Sequence, residues 1–141
     1  MKGIVIYESL TGNTRKAGES IAAELSRSGI ETAAFSIKAI DLQHLSDADL
    51  VVIGSWVDGL FVVGQKPAGV RRLMELPVIT GKKTAVYCTY ALHAGQTLTK
   101  LGGIVERRGG EVIGGMAIKR GAIETGATEF VDRLLGALDS A

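Results

Sequence analysis

The sequence predicts an α/β fold in which helices cover both faces of one five-stranded parallel sheet, a doubly wound arrangement. Short apolar runs bounded by turn residues alternate with segments in which apolar residues recur every three or four positions, which is typical of repeated strand–helix–strand units. Several runs are apolar at consecutive positions, as expected for strands buried on both faces. With 141 residues, the chain has the length of one domain, so we expect residues 1–141 to fold as a single domain.

Five segments have the composition of strands. Each combines β-branched, aromatic or other apolar residues and is bounded by glycine or polar turn residues. We therefore predict strands at Lys2–Tyr7, Thr32–Ile37, Leu50–Gly54, Thr84–Thr89 and Glu111–Ile118.

Four further segments carry apolar residues at helical spacing, which predicts amphipathic helices. The first begins near Asn13 and ends at Gly29, and the second opens at Pro67 and stops before Pro77. The link 38–49 has room for only one or two helical turns. The positions that mark the four helix faces are Ala17, Ile21 and Leu25; Val70, Leu73 and Met74; Leu98, Leu101 and Val105; and Ala127, Phe130, Val131, Leu134 and Leu138.

Composition excludes several classes of protein. A net charge of +1 is too small for strong electrostatic binding to nucleic acid. No apolar run approaches the roughly 20 residues needed to cross a bilayer. A single cysteine, Cys88, excludes an internal disulfide and a cysteine-rich metal site. Because nothing resembling a signal peptide precedes the first strand, we expect a cytoplasmic protein that binds neither nucleic acid nor membrane.

A hydroxyl-rich turn follows the first strand and leads into the first helix. The first N–H groups of a helix lack intrahelical partners and, with the helix dipole, favour an anion. The candidate anion-binding residues are Ser9, Leu10, Thr11, Gly12, Asn13 and Thr14. The turn contains no lysine, which argues against a triphosphate and favours the monophosphate of a cofactor. The same residue types also suit an ordinary helix start, so both interpretations stay open.

Two aromatic side chains are expected near this turn. Ligands of open parallel sheets bind beyond the carboxyl ends of the strands, where we expect the segments 8–13, 55–65 and 90–95 to meet. Trp56 is predicted to lie on the second segment and Tyr90 opens the third. Their rings could stack on a flat aromatic ligand, or fold back onto the core.

The chain resembles short-chain flavodoxins, which bind FMN non-covalently. It matches their N-terminal pattern at Val5, Ile6, Tyr7, Ser9, Gly12, Thr14 and Ile21, with Gly18 where alanine is usual. The resemblance implies a flavodoxin-like sheet with strand order 2-1-3-4-5 and an FMN phosphate held by residues 9–14. It also implies that the flavin ring is flanked by Ser55, Trp56, Val57, Asp58 and Gly59, and by Thr89, Tyr90, Ala91, His93 and Gly95.

The chain departs from this family in three respects. It is nearly neutral, whereas flavodoxins are usually strongly acidic, so the resemblance does not identify a redox partner. Val57 stands where a glycine commonly follows the tryptophan, and Ala91 stands where an acid is common.

Three functions remain open from the sequence. The first is an electron carrier that moves electrons between a reductase and an acceptor. The second is an FMN-dependent oxidoreductase that uses NAD(P)H, a quinone or a similar small molecule, which the apolar segment Leu60–Gln65 favours as a pocket wall or subunit interface. The third is a scaffold without cofactor. The partner is accordingly a redox protein or a small electron acceptor, and the oligomeric state is open.

Two other classes of protein are excluded because the chain lacks the residues that their functions need. A tyrosine phosphatase of low molecular weight needs an arginine six positions after its cysteine, and the sixth residue after Cys88 is Ala94. A receiver domain needs clustered acids at the ends of its first and third strands, where this chain has Glu8 and Ser55. We therefore predict that Cys88 is a buried strand thiol.

Overall fold

Five parallel strands form the central sheet of the computed structural model, which describes residues 1–58 and 66–140. In spatial order they are β2 (Glu31–Ser36), β1 (Lys2–Tyr7), β3 (Leu50–Asp58), β5 (Lys83–Tyr90) and β6 (Glu111–Lys119). The two-residue strand β4 (Lys66–Pro67) pairs antiparallel with the end of β3. Counting the parallel strands alone, the order is 2-1-3-4-5, so the predicted doubly wound fold is confirmed.

Helices pack on both faces of this sheet. One face is covered by α1 (Asn13–Arg27) and α5 (Ile123–Asp139), and the other by α2 (Leu42–Asp47), α3 (Val70–Met74) and α4 (Thr97–Arg107). A single 3₁₀ turn, Arg120–Ala122, joins β6 to α5. Within the two described ranges, no helix has the length and hydropathy to cross a membrane.

Tyr87 occupies the centre of the core between the sheet and α1. Its side chain is fully buried, and burial raises the pKa of its hydroxyl well above the usual value. Two glycines make room for the ring: a Cβ on Gly54 would lie 2.0 Å from Tyr87 Cζ, and one on Gly18 would lie 2.8 Å from Tyr87 Oη. Gly18 stands where the N-terminal pattern usually has alanine, and packing explains this difference, because an alanine methyl group would lie too close to the Tyr87 hydroxyl.

The largest difference from the predicted elements lies at the end of β3. This strand continues to Asp58, four residues beyond the predicted end at Gly54. Trp56 therefore lies on a strand, and its predicted position on a loop is wrong. Two distant partners hold the extension: Trp56 pairs with Thr89 of β5, and Val57 pairs with Pro67 of β4. The other four predicted strands shift by at most one residue at an end.

Pro67 has a different role from the one predicted. It pairs with β3 as part of β4 instead of opening α3. The residue before α3 is Gly69, whose φ of 69° lies in the left-handed region that glycine tolerates without steric cost. Because α3 begins after a glycine with a left-handed backbone angle, the sequence has no capping hydroxyl or proline that would mark where this helix begins.

Candidate functional site

The candidate site lies where β1, β3 and β5 end at one edge of the sheet. Strand order reverses here, because the chain passes from β1 outward to β2 and then across to β3 on the other side. Such a switch point opens a crevice between the loops that leave neighbouring strands. The backbone N–H of Glu8 donates to the carbonyl of Gly54 over 2.9 Å, which joins the start of the turn after β1 to β3.

The turn after β1 presents main-chain donors toward a single point. Gly12 has a φ of 95° and occupies the position before α1, where it has no side chain with which to cap the helix. The backbone N–H groups of Gly12 and Arg15 both donate to the hydroxyl oxygen of Ser9, over 3.2 and 3.4 Å. Two N–H groups that converge on one oxygen at the positive end of a helix dipole form a suitable place for an anion.

The other hydroxyls of this turn have partners within the protein. Thr14 is buried, and its hydroxyl shares a hydrogen bond of 2.8 Å with the hydroxyl of Thr89. The Tyr87 hydroxyl donates to the Thr14 carbonyl over 2.8 Å. Thr11 accepts a hydrogen bond from the Asn13 side-chain amide over 3.3 Å, and Leu10 is exposed. The first turn of α1 is thus joined to β5 at two points.

The residues expected beside a flavin ring divide between buried and accessible positions. Ser55 is fully buried and donates to the carbonyl of Ala68 over 2.7 Å, so its hydroxyl holds the chain that returns from β4. Trp56 is half-buried, and its indole N–H has no partner among residues 1–58 and 66–140. The buried hydroxyl of Thr97, at the start of α4, likewise lacks a partner within those ranges.

The segment after β5 is open to solvent. Tyr90 ends the strand half-buried, while Ala91, His93 and Gly95 are exposed. Gly95 has a φ of 55°, a conformation that suits glycine just before α4. Gly59 and the apolar segment Leu60–Gln65 lie outside the described residues. Val57 and the backbone of Asp58 belong to β3. The flavin-contacting roles of all these residues remain predictions.

Sequence reasoning missed an ion pair next to the turn. The buried carboxylate of Glu8 accepts two hydrogen bonds from Arg72, at 2.7 Å from Nε and 2.8 Å from Nη2. This hydrogen bonding and the charge of Glu8 raise the pKa of the Arg72 guanidinium. A Cβ on Gly69 would lie 2.6 Å from Glu8 Cγ, so the glycine leaves room for the carboxylate. An acid before the turn is visible in the sequence, but its partner 64 positions away is not.

Cys88 is buried in β5, and burial raises the pKa of its thiol to about 12. The thiolate is the reactive form. We therefore expect the folded protein to resist alkylation by iodoacetamide at about pH 8 and to be labelled fully after denaturation in urea, as mass spectrometry would measure.

The raised pKa of Cys88 also predicts that the protein loses stability at alkaline pH. The unfolded thiol releases its proton near its usual value of 9.0, while the folded thiol holds it to about 12, so its contribution to stability falls as the pH rises above about 9. The variant Cys88→Ala should show a shallower decline in unfolding midpoint over this range. Rapid labelling of the folded protein would contradict both expectations.

Comparison with known proteins supports the same architecture. A family model described as the flavodoxin domain matches residues 4–138. A flavodoxin from Pseudomonas aeruginosa, solved as a cysteine-to-serine mutant, is similar with a TM-score of 0.76 and 16% identity over 99% of both chains. The two-electron reduced flavodoxin of Megasphaera elsdenii is similar with a TM-score of 0.66 and 21% identity, over 91% of this chain and 99% of that one.

A larger protein shares the fold over part of its length. Rubredoxin oxygen:oxidoreductase from Desulfovibrio gigas is similar with a TM-score of 0.66 and 19% identity, over 97% of this chain but 37% of that one. No curated protein sequence matches the chain.

Proposed function

We propose, from the premise that this chain belongs to the flavodoxin domain family, that it binds FMN and carries electrons between a reductase and an acceptor. The observation that supports this most directly is the convergence of the Gly12 and Arg15 N–H groups on the Ser9 oxygen. A phosphate oxygen in place of that hydroxyl would accept both donors. We infer that Ser9, Leu10, Thr11, Gly12, Asn13 and Thr14 hold the phosphate.

The remaining site residues would flank the flavin ring. Trp56 and Tyr90 lie near the ends of neighbouring strands, and both residues are half-buried. The indole N–H of Trp56 and the hydroxyl of Thr97 are buried donors without a partner in the described part of the chain, a state that costs free energy unless a further acceptor satisfies them. FMN supplies the electron-transfer chemistry when bound, and the protein positions it and excludes water.

Comparison of FMN with riboflavin tests the phosphate assignment. We expect FMN to bind at least about 100-fold more tightly, because riboflavin lacks the phosphate and with it two or more charge-assisted hydrogen bonds worth roughly 1.5–3 kcal/mol each. The readout is quenching of flavin fluorescence when apoprotein is titrated. The variant Ser9→Asp should weaken FMN binding and leave riboflavin binding nearly unchanged, because its carboxylate would repel the phosphate.

The exposed Ser46 in α2 provides a matched control, since Ser46→Asp adds the same charge on a different segment and should change neither affinity. Equal affinities for FMN and riboflavin would exclude the phosphate site, and absence of binding to either flavin would exclude the cofactor. Steady NADPH consumption by the FMN-loaded protein with a quinone, without a separate reductase, would favour the oxidoreductase alternative over the carrier.

A further inference from the structure

Strand β6 forms one edge of the sheet, and it is long and mostly apolar in its side chains. It has nine residues, and those from Val112 to Ile118 are all apolar or glycine. Among the described residues, only β5 pairs with it, so its outer edge offers unpaired N–H and C=O groups. Natural proteins usually shorten, charge or cover such an edge because it is a template for another strand. At the opposite edge, β2 has six residues and includes the polar Thr32 and Ser36.

Cavities border β6 on both faces of the sheet. A cavity of about 180 Å³ lies between β6 and α5, and one of about 580 Å³ lies between β6 and α4. Gly114 and Gly115 line both, and a Cβ built on Gly114 would meet no atom within 4 Å. A register shift between β5 and β6, next to Gly114, leaves Ile113 opposite no residue of β5. At Gly114 and Gly115 an added strand would meet no side chain of β6.

The charges at the two ends of the strand are opposite. Glu111 begins β6, whereas Lys119 ends it and Arg120 follows. All three are exposed, and none forms an ion pair within residues 1–58 and 66–140. If a copy of β6 lies antiparallel to the first around an axis near Gly115, the acidic start of each strand lies beside the basic end of the other. A parallel copy would place like charges together, which is unfavourable.

We propose that the β6 edge is the site at which a second copy of this chain docks, with the two β6 strands antiparallel across a two-fold axis. The edge is complementary to itself in charge and in main-chain donors and acceptors, as an isologous contact requires. Main-chain hydrogen bonds would extend the sheet from one protomer into the next, as in strand addition. The proposal goes beyond electron carrying and holds with or without FMN, because no residue assigned to FMN belongs to β6.

Charge exchange tests the proposed pairing. We expect sedimentation equilibrium to show a dimer whose dissociation constant rises about tenfold in Glu111→Arg and in Lys119→Glu, since with the axis at Gly115 these two residues lie opposite each other and each change turns two attractive pairs into repulsive ones. The double variant Glu111→Arg/Lys119→Glu should restore the wild-type value within about twofold. The control Glu31→Arg makes the same change at the start of the other edge strand and should leave the dimer unchanged.

A second variant addresses the edge itself. Gly114→Lys adds a charged side chain on the sheet face beside the cross-strand pairs of the proposed interface and should weaken the dimer, while Gly136→Lys, also in open space but on α5, should not. Circular dichroism checks that each variant is folded. A wild-type protein that stays monomeric at the highest concentration it tolerates would overturn the proposal. So would a dimer indifferent to the exchanges, one lost in Glu31→Arg, or a mixture of larger aggregates.

Discussion

Replacement of Gly54 by alanine should lower the free energy of unfolding by about 3 kcal/mol. The added methyl group would lie 2.0 Å from Cζ of Tyr87, far inside contact distance. Both residues lie in adjacent central strands, and the Tyr87 hydroxyl donates to the Thr14 carbonyl, so the ring cannot turn away without losing a buried hydrogen bond. Urea unfolding followed by circular dichroism measures the change.

Two further variants separate this clash from a general effect of losing glycine. Gly136→Ala changes the same atoms in a helix where nothing lies within 4 Å, and should stabilise the protein by up to about 1 kcal/mol. Replacing the ring in Gly54→Ala/Tyr87→Leu should recover part of the loss, so the two effects should not add. A decrease below about 1 kcal/mol for Gly54→Ala alone would show that the core adapts and that Tyr87 does not require this glycine.

Removal of Arg72 should weaken FMN binding at least about tenfold and leave riboflavin binding nearly unchanged. Arg72→Ala leaves the buried Glu8 carboxylate without its bidentate partner, one residue before the turn proposed to hold the phosphate. An uncompensated negative charge in a poorly solvated position disfavours a second anion nearby. Fluorescence titrations with the two flavins at neutral pH measure the difference.

The neighbouring arginine and the neutral form of the acid provide the controls. Arg71→Ala removes the same side chain from an exposed position beside Arg72 and should not discriminate between the flavins. Glu8→Gln/Arg72→Ala has no unpaired charge at this position, so its affinity for FMN should return toward that of the wild type. Equal losses for FMN and riboflavin in Arg72→Ala would show that the ion pair only stabilises the fold.

Much of the architecture was predictable because it follows from local patterns. Continuous apolar runs and helical spacing located five strands and their connecting helices. The strand order 2-1-3-4-5 followed from the resemblance to flavodoxins, which includes the Ser9–Thr14 turn. The turn itself was predictable because hydroxyls and a glycine at a strand–helix junction are local signals. The single domain, the cytoplasmic location and the flavin-contacting residues remain predictions.

The sequence by itself therefore determined the α/β class, the position of the Ser9–Thr14 turn between β1 and α1 and the burial of Cys88, since each depends on residues close together in the chain. Only the tertiary structure decided that Trp56 lies on a strand, because Thr89 and Pro67 hold it there. It also decided that Arg72 neutralises Glu8 and that Tyr87 requires Gly18 and Gly54. These pairings join residues tens of positions apart, and no periodicity in the chain records which distant side chain fills a given space or meets a given charge.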